Sequence, residues 1–195
     1  MRCVTEQPEP SEQQDLGERL DQVLVGGRRP TRVVLVDYDD TWPQRFAAER
    51  ARIVAALGPR AVAVHHVGST SVPGLAAKDR VDVCLEVADP DDDPAYLPDL
   101  LRVGYEVRVV EPGHRCLVRA DPQDPATNVH VYAAGDDEVT RYLLFRDRLR
   151  EHQADRQRYE DVKRSLAGRE WADVNYYAEA KGPVITEILD RARRR

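Results

Sequence analysis

The segment His66-Val-Gly-Ser-Thr-Ser-Val-Pro-Gly-Leu-Ala-Ala-Lys78, followed closely by Val81-Asp-Val-Cys-Leu-Glu-Val87, gathers the residue types that phosphate chemistry needs. Gly68-Ser69 follows a run of strand character. There glycine allows a close backbone approach, and the serine hydroxyl, with Thr70 beside it, can donate to a phosphate oxygen. Lys78 adds a mobile positive charge. In the next strand Val81, Val83, Leu85 and Val87 point one way, while Asp82, Cys84 and Glu86 point the other. Asp82 offers a hard carboxylate oxygen, the ligand type with which magnesium is held against phosphates. The usual partner is a second carboxylate two residues on; here that place is Cys84, a soft and poor magnesium ligand. Glu86 shares the face one step further along. It completes a metal site with Asp82 if the ion sits off-centre or the strand bends, and otherwise makes an ordinary ion pair at the sheet edge. The combination suggests magnesium-dependent nucleotidyl transfer, with one acidic position missing.

A second polar face lies on Asn128, His130 and Tyr132, opposite Val129 and Val131. If this strand neighbours the Asp82 strand, the face lines a cleft: Asn128 meets substrate, and His130 serves as a ligand, a base or a substrate contact. Of His65 and His66, one points to the core and the other toward the turn, and neither suggests zinc. The later helices carry Arg141, Arg146, Lys163 and Lys181, which either cover a bound triphosphate or stand as surface charge; Lys181 is assigned to the substrate. No GxxxxGK[ST] loop, GxGxxG fingerprint or GxSxG elbow is present, which removes those enzyme classes.

The elements that must position these residues follow from periodicity. An apolar run over 32–37 predicts the first strand. A helix follows, capped by Asp40 or Thr41, with Pro43 in its first turn, Trp42, Phe46, Ile53 and Leu57 along one side, and Gly58 ending it. Strands are expected over 61–67, 80–88, 105–110, 115–120 and 128–133, with a helix over 95–103. After Gly135 the pattern turns helical: a segment capped by Asp136 or Asp137 runs to Glu151, another covers 155–166, and a third covers 174–193 with a break at Gly182-Pro183. This order predicts an α/β (α+β) mixed sheet with flanking helices over 32–135 and a helical segment, 136–195, packed on it. Residues 1–31, polar and interrupted by prolines, read as a loosely ordered tail in which Leu16 to Val25 can form one short helix. The acidic run Asp89 to Asp93 reads as a surface loop.

Composition limits the rest. The 195 residues carry 29 basic and 35 acidic side chains for a net charge of −6, which argues against a general nucleic-acid binder. Three cysteines without paired spacing argue against a disulfide framework or a cysteine-rich zinc site. With no signal-peptide pattern and no apolar run of membrane length, a soluble cytoplasmic protein without a membrane partner is expected.

Asp37-Tyr-Asp-Asp-Thr-Trp-Pro-Gln-Arg-Phe-Ala-Ala-Glu49, the Gly68-to-Lys78 segment with Asp82, Asn128-Val-His-Val131, Tyr159-Glu-Asp-Val-Lys163 and Ala180-Lys-Gly-Pro-Val-Ile185 together resemble the GrpB family. The likeness covers about residues 33 to 190. It implies a nucleotidyltransferase-like fold, with Gly68 and Ser69 matching a nucleotide-positioning turn and Asp82 matching the first metal ligand. A similar domain is fused to dephospho-CoA kinase in some bacteria, so the resemblance also implies an association with that enzyme. This chain departs from the family at Lys78-Asp79-Arg80, where a proline is common, and at Asp82-Val-Cys84, where the superfamily has Asp-x-Asp. Two classes remain: magnesium-dependent nucleotidyl transfer to a small-molecule acceptor, or a catalytically lapsed domain that binds a nucleotide, another phosphorylated small molecule, or a partner.

Overall fold

A computed structural model describes residues 10–121 and 124–194. Helix α1, Pro10–Val23, lies in the segment expected to be loosely ordered; beyond it Leu24 bridges to Val109 and the Val25 N–H donates to Arg108 O at 3.0 Å. Strand β1, Thr31–Arg32, is shorter than predicted, and the expected strand over 32–37 does not enter the main sheet. Its remainder is a strap in which Val36 exchanges two bonds with Ala77 and Val33 packs beside Leu166 and Tyr177. Val33 is therefore buried and Leu35 partly buried by the C-terminal helices, a partner that local alternation cannot specify, while Val34 and Val36 remain exposed.

Helix α2, Trp42–Leu57, matches its prediction: Pro43 occupies the first turn, Trp42, Ile53 and Leu57 are buried, and Gly58 at φ +58° ends it. The cap differs, since the Thr41 side chain makes no capping bond and Asp39 Oδ1 takes the Thr41 N–H instead at 2.8 Å. Then come β2 (Ala63–Val67), β3 (Val81–Val87), α3 (Leu97–Arg102), β4 (Glu106–Glu111), β5 (His114–Asp121) and β6 (Asp124–Ala133). These strands form one mixed sheet in the order β2-β3-β6-β5-β4, parallel only between β3 and β6. The short β1 pairs separately, and antiparallel, with β7 (Glu170–Trp171).

One sheet face carries Val81, Val83, Leu85, Val87, Leu117, Val129 and Val131 into a core with Trp42, Ile53, Leu57, Leu97 and Leu100. The alternation read in β3 is thus real, and the opposite face carries its polar residues. The third layer is α4 (Asp137–Glu151), α5 (Gln153–Leu166), α6 (Val174–Ala180) and α7 (Gly182–Arg193). Asp136 caps α4 by accepting the Glu138 N–H at 2.7 Å, and the break at Gly182-Pro183 separates α6 from α7. A second core joins Val72 and Leu75 to Leu149, Tyr159, Val184 and Ile188. The connection between β2 and β3 is therefore held against the helices. The acidic loop is also anchored, because Asp91 and Asp93 each accept from Arg115 at 2.9 Å.

Behind α2, buried Glu49 accepts from Arg119 at 2.5 and 3.3 Å and from the Tyr105 hydroxyl. Removing one member of a buried ionic cluster strands its partners in a dry place. Glu49→Ala is expected to cost about 3–5 kcal/mol in urea unfolding, the range for breaking buried pairs. A loss below about 1 kcal/mol, the size typical of a surface pair, would show that solvent already reaches the cluster. Among the described residues, no helix is long and apolar enough to cross a membrane.

Candidate phosphate site

Antiparallel pairing puts Val67 opposite Asp82, so the chain leaving β2 passes directly over that carboxylate. Gly68 makes the passage with φ +67° and ψ −172°, a region essentially confined to glycine. A Cβ there would lie 2.5 Å from Asp82 Oδ2. Ser69–Ser71 forms one 3₁₀ turn, closed by the Ser71 hydroxyl donating to Gly68 O at 2.6 Å. Helix α4 braces it: Arg150 Nε and Nη2 donate to Ser71 O at 2.9 and 2.7 Å, and Arg146 Nη1 donates to His66 O at 3.2 Å. Thr70 was expected to meet substrate, but it is buried and pairs with His66 Nε2 at 3.0 Å. His66 stacks on Phe46, and burial lowers its pKa to about 4. The Thr70 and Ser71 hydroxyls are thus held within the turn and its strand, and Ser69 is half-buried.

Lys163 was grouped in the sequence with possible surface charges; it is 1% exposed. Its Nζ lies 3.2 Å from Ser69 Oγ, bonds Ala76 O, and stands 4.9 Å from the centre of the Tyr159 ring. Lys181 Nζ lies 4.7 Å from the Tyr177 ring centre and 6.0 Å from that of Tyr159, while Lys78 Nζ lies 5.6 Å from that of Tyr177. Among the described residues, no carboxylate forms a salt bridge with any of the three amines. Desolvation, reinforced by Lys181, lowers the Lys163 pKa to about 7; desolvation lowers that of Lys78 to about 8, with Asp82 pulling the other way. These three are the only lysines in the chain, every other one of its 29 basic side chains being arginine. That scarcity is the signal in the sequence that marks Lys163: in an arginine-rich chain, the three positions that keep an amine converge.

On the sheet, Asp82 and Asn128 are register partners, and Asn128 Nδ2 donates to Asp82 Oδ1 at 2.8 Å. Arg80 Nη1 donates to Asn128 Oδ1 at 2.8 Å, a link that the sequence does not expose. His130 lies one row further on, opposite Cys84 rather than Asp82. It stacks on His114, with His114 Nε2 3.3 Å from His130 Nδ1, and burial lowers its pKa to about 4 although Asp82 acts to raise it. His130 is therefore neutral at pH 7. Cys84 is fully buried among Val67, Tyr132 and Val139, and desolvation raises its thiol to about 12. Both Glu86 oxygens are engaged, one 2.8 Å from His65 Nε2 and the other accepting the Gly135 N–H at 2.9 Å. Strand rise puts Glu86 about 13 Å from Asp82 along β3, too far to share an ion. Among the described residues, no group of three or more His, Cys, Asp or Glu is placed to hold a metal. With one carboxylate, a protonated thiol and an occupied glutamate, the donor set does not fit a two-carboxylate magnesium centre. The structure thus brings together Gly68, Ser69, Asp82 and Asn128 on one side and Lys78, Lys163 and Lys181 on the other, and leaves Glu86 outside.

The same chain is recognisable in other proteins. The family model described as GrpB protein matches residues 32–191. A UPF0157 protein of Halalkalibacterium halodurans is 44% identical over 180 residues, which cover 90% of this chain and 91% of that one. A dephospho-CoA kinase of Mycolicibacterium paratuberculosis is 32% identical over 192 residues, covering 85% of this chain and 46% of that protein. Among solved structures, GrpB from Enterococcus faecalis superposes with a TM-score of 0.68 at 28% identity, over 81% of this chain and 98% of that one. In sequence and in fold, this chain belongs to the GrpB family.

Proposed function

We propose that this is a cytoplasmic protein that binds a phosphorylated small molecule, a nucleotide being the leading class, with its phosphates between Ser69 and the amines of Lys78, Lys163 and Lys181. The observation that carries this reading is the convergence of the chain's three lysines beside the Ser69 turn, with no carboxylate among the described residues in a salt bridge with any of them. Desolvation lowers the pKa of Lys78 and Lys163, and a phosphate favours their charged forms by charge-assisted hydrogen bonding. Asp82 borders the turn and limits how many negative charges the ligand can place there. Binding comes first in this reading because the residues present offer a phosphate cradle more fully than a magnesium centre.

A thermal-shift panel of nucleoside triphosphates, inorganic pyrophosphate and coenzyme A precursors, each with and without magnesium, tests it. A ligand at one hundred times its dissociation constant adds about 2.7 kcal/mol of stability. Lys181→Ala, which removes a half-buried amine, is expected to weaken binding about tenfold or more. No shift with any of these compounds, or a shift that Lys181→Ala leaves intact, refutes the reading. Magnesium-dependent turnover of a triphosphate to pyrophosphate would restore nucleotidyl transfer to a small-molecule acceptor as the function.

A second reading is favoured by one finding: a sequence of this kind forms about half of a protein named dephospho-CoA kinase. We also propose an association of this domain with dephospho-CoA kinase. Co-sedimentation of the two purified proteins at micromolar concentration tests it, and separate migration at every concentration rejects it.

A further inference from the structure

Ser69 and Lys163, two members of the phosphate cradle, also form a close pair of their own. The serine is half-buried on the first residue of a turn that follows a strand directly, at a corner that only glycine can make. Behind it the Lys163 amine is enclosed, 3.2 Å from the serine oxygen and bonded to Ala76 O. As it stands the amine donates both to Ser69 Oγ and to the Ala76 carbonyl. Once it loses a proton, one hydrogen stays on Ala76 O and the freed lone pair lies within reach of the Ser69 hydroxyl proton. The groups that face Lys163 are Lys181 from the start of α7 and Glu160 and Arg164 from its own helix. Glu160 acts to hold the proton on Lys163, but its two oxygens are bonded to Arg164 and to the Ala76 N–H, and desolvation outweighs it. An amine desolvated and set beside another cation is the recognised way to make lysine a base near neutral pH. Arginine cannot play this part, because it does not deprotonate.

We infer that Ser69 and Lys163 are a nucleophile–base dyad for acyl transfer, taking as substrate an ester with an activated leaving group. Ser69 Oγ bonds to the ester carbonyl carbon as its proton passes to the Lys163 lone pair. The carbon–alkoxy bond breaks, and the Lys163 ammonium returns that proton to the departing alkoxide. In the second half, water adds to the acyl carbon and gives a proton to Lys163, and Ser69 Oγ leaves and takes the proton back. The carboxylic acid departs and both side chains are restored. This activity draws on two residues of the phosphate cradle but needs no phosphate, so the two are tested with different probes.

The test uses a fluorophosphonate and p-nitrophenyl acetate, both neutral and both free of a phosphate anion, on the whole chain. Fluorophosphonate is expected to add one phosphonyl mass to the folded protein, mapped by peptide mass spectrometry to Ser69 and absent from Ser69→Ala. Its rate should rise with pH through a single ionisation near neutrality. Lys163→Arg puts at this place a group that does not deprotonate and so has no lone pair to take the serine proton, and should slow labelling at least a hundredfold while circular dichroism remains that of the parent chain. Release of p-nitrophenol should fall in parallel. A folded parent chain that takes no label at Ser69, or a folded Lys163→Arg variant that labels at the parent rate, overturns the dyad. Should Lys163→Arg fail to fold, the site of labelling and its pH profile in the parent chain decide.

Discussion

Gly68→Ala is expected to destabilise the protein by about 2–4 kcal/mol and to abolish ligand-induced thermal shifts. Two costs combine. An L-residue in this backbone region costs of order 1–3 kcal/mol. The new methyl would also meet Asp82 Oδ2 at 2.5 Å, so the carboxylate must move and give up its bond from Asn128. Gly74 supplies the control: it too has positive φ, at +76°, but nothing lies within 4 Å of a Cβ placed there. Gly74→Ala should therefore show only the backbone cost, about 1–2 kcal/mol. Denaturant midpoints of the two variants measure the difference. Equal losses would mean that the contact between turn and carboxylate does not constrain the fold.

The second large effect concerns pH. The Lys163 pKa is about 7 in the folded chain, against the ordinary 10.5 expected once it is unfolded. Its folded-state pKa is depressed, so between these values the unfolded chain binds more protons and stability rises with pH. The penalty is full below pH 7 and fades toward pH 10.5. Lys163→Met removes the titrating group while keeping an unbranched stem. Relative to that variant, the parent chain should gain on the order of a few kcal/mol between pH 6 and pH 10. Lys78 shifts in the same direction but is common to both chains and cancels in the comparison. Urea unfolding across this range gives the two curves, and parallel curves would show that Lys163 is already solvated.

Much of the architecture was legible locally. Helix α2 carries its own start at Pro43 and its own stop at Gly58, and β3 carries its facing in strict alternation. Asp136 announces the start of α4, and Gly182-Pro183 the gap between α6 and α7. These signals sit within a few residues of what they determine, so periodicity and capping chemistry suffice. The segment over 32–37 has equal strand character, yet Val33 and Leu35 turn to the helices while Val34 and Val36 stay exposed, because burial can be satisfied by any apolar neighbour.

The site divides along the same line. Placing β3 beside β6 unites Asp82 with Asn128, as the polar strand faces suggested, but the register sets His130 one row away, against Cys84. Glu86 was weighed as a metal ligand or an ion-pair partner, and its hydrogen bonds with His65 and the Gly135 N–H occupy both of its oxygens. Thr70 differs from its expected role because its partner, His66, is brought under it by the curl of the turn itself.

The sequence alone determined the turn and its glycine, the strand that carries Asp82, the order of sheet and helices, and the family. Those are properties of adjacent residues, written in spacing and side-chain type. Only the tertiary structure decided what the lysines are. Lys78, Lys163 and Lys181 are distant along the chain; Lys78 and Lys181 read as phosphate and substrate contacts, and Lys163 as either a triphosphate contact or surface charge. Packing α5, α6 and α7 over the turn removes their water and brings them together. Desolvation, which depends on everything that surrounds a group and on nothing in its immediate sequence, lets one of them, beside Ser69, lose its proton near neutral pH.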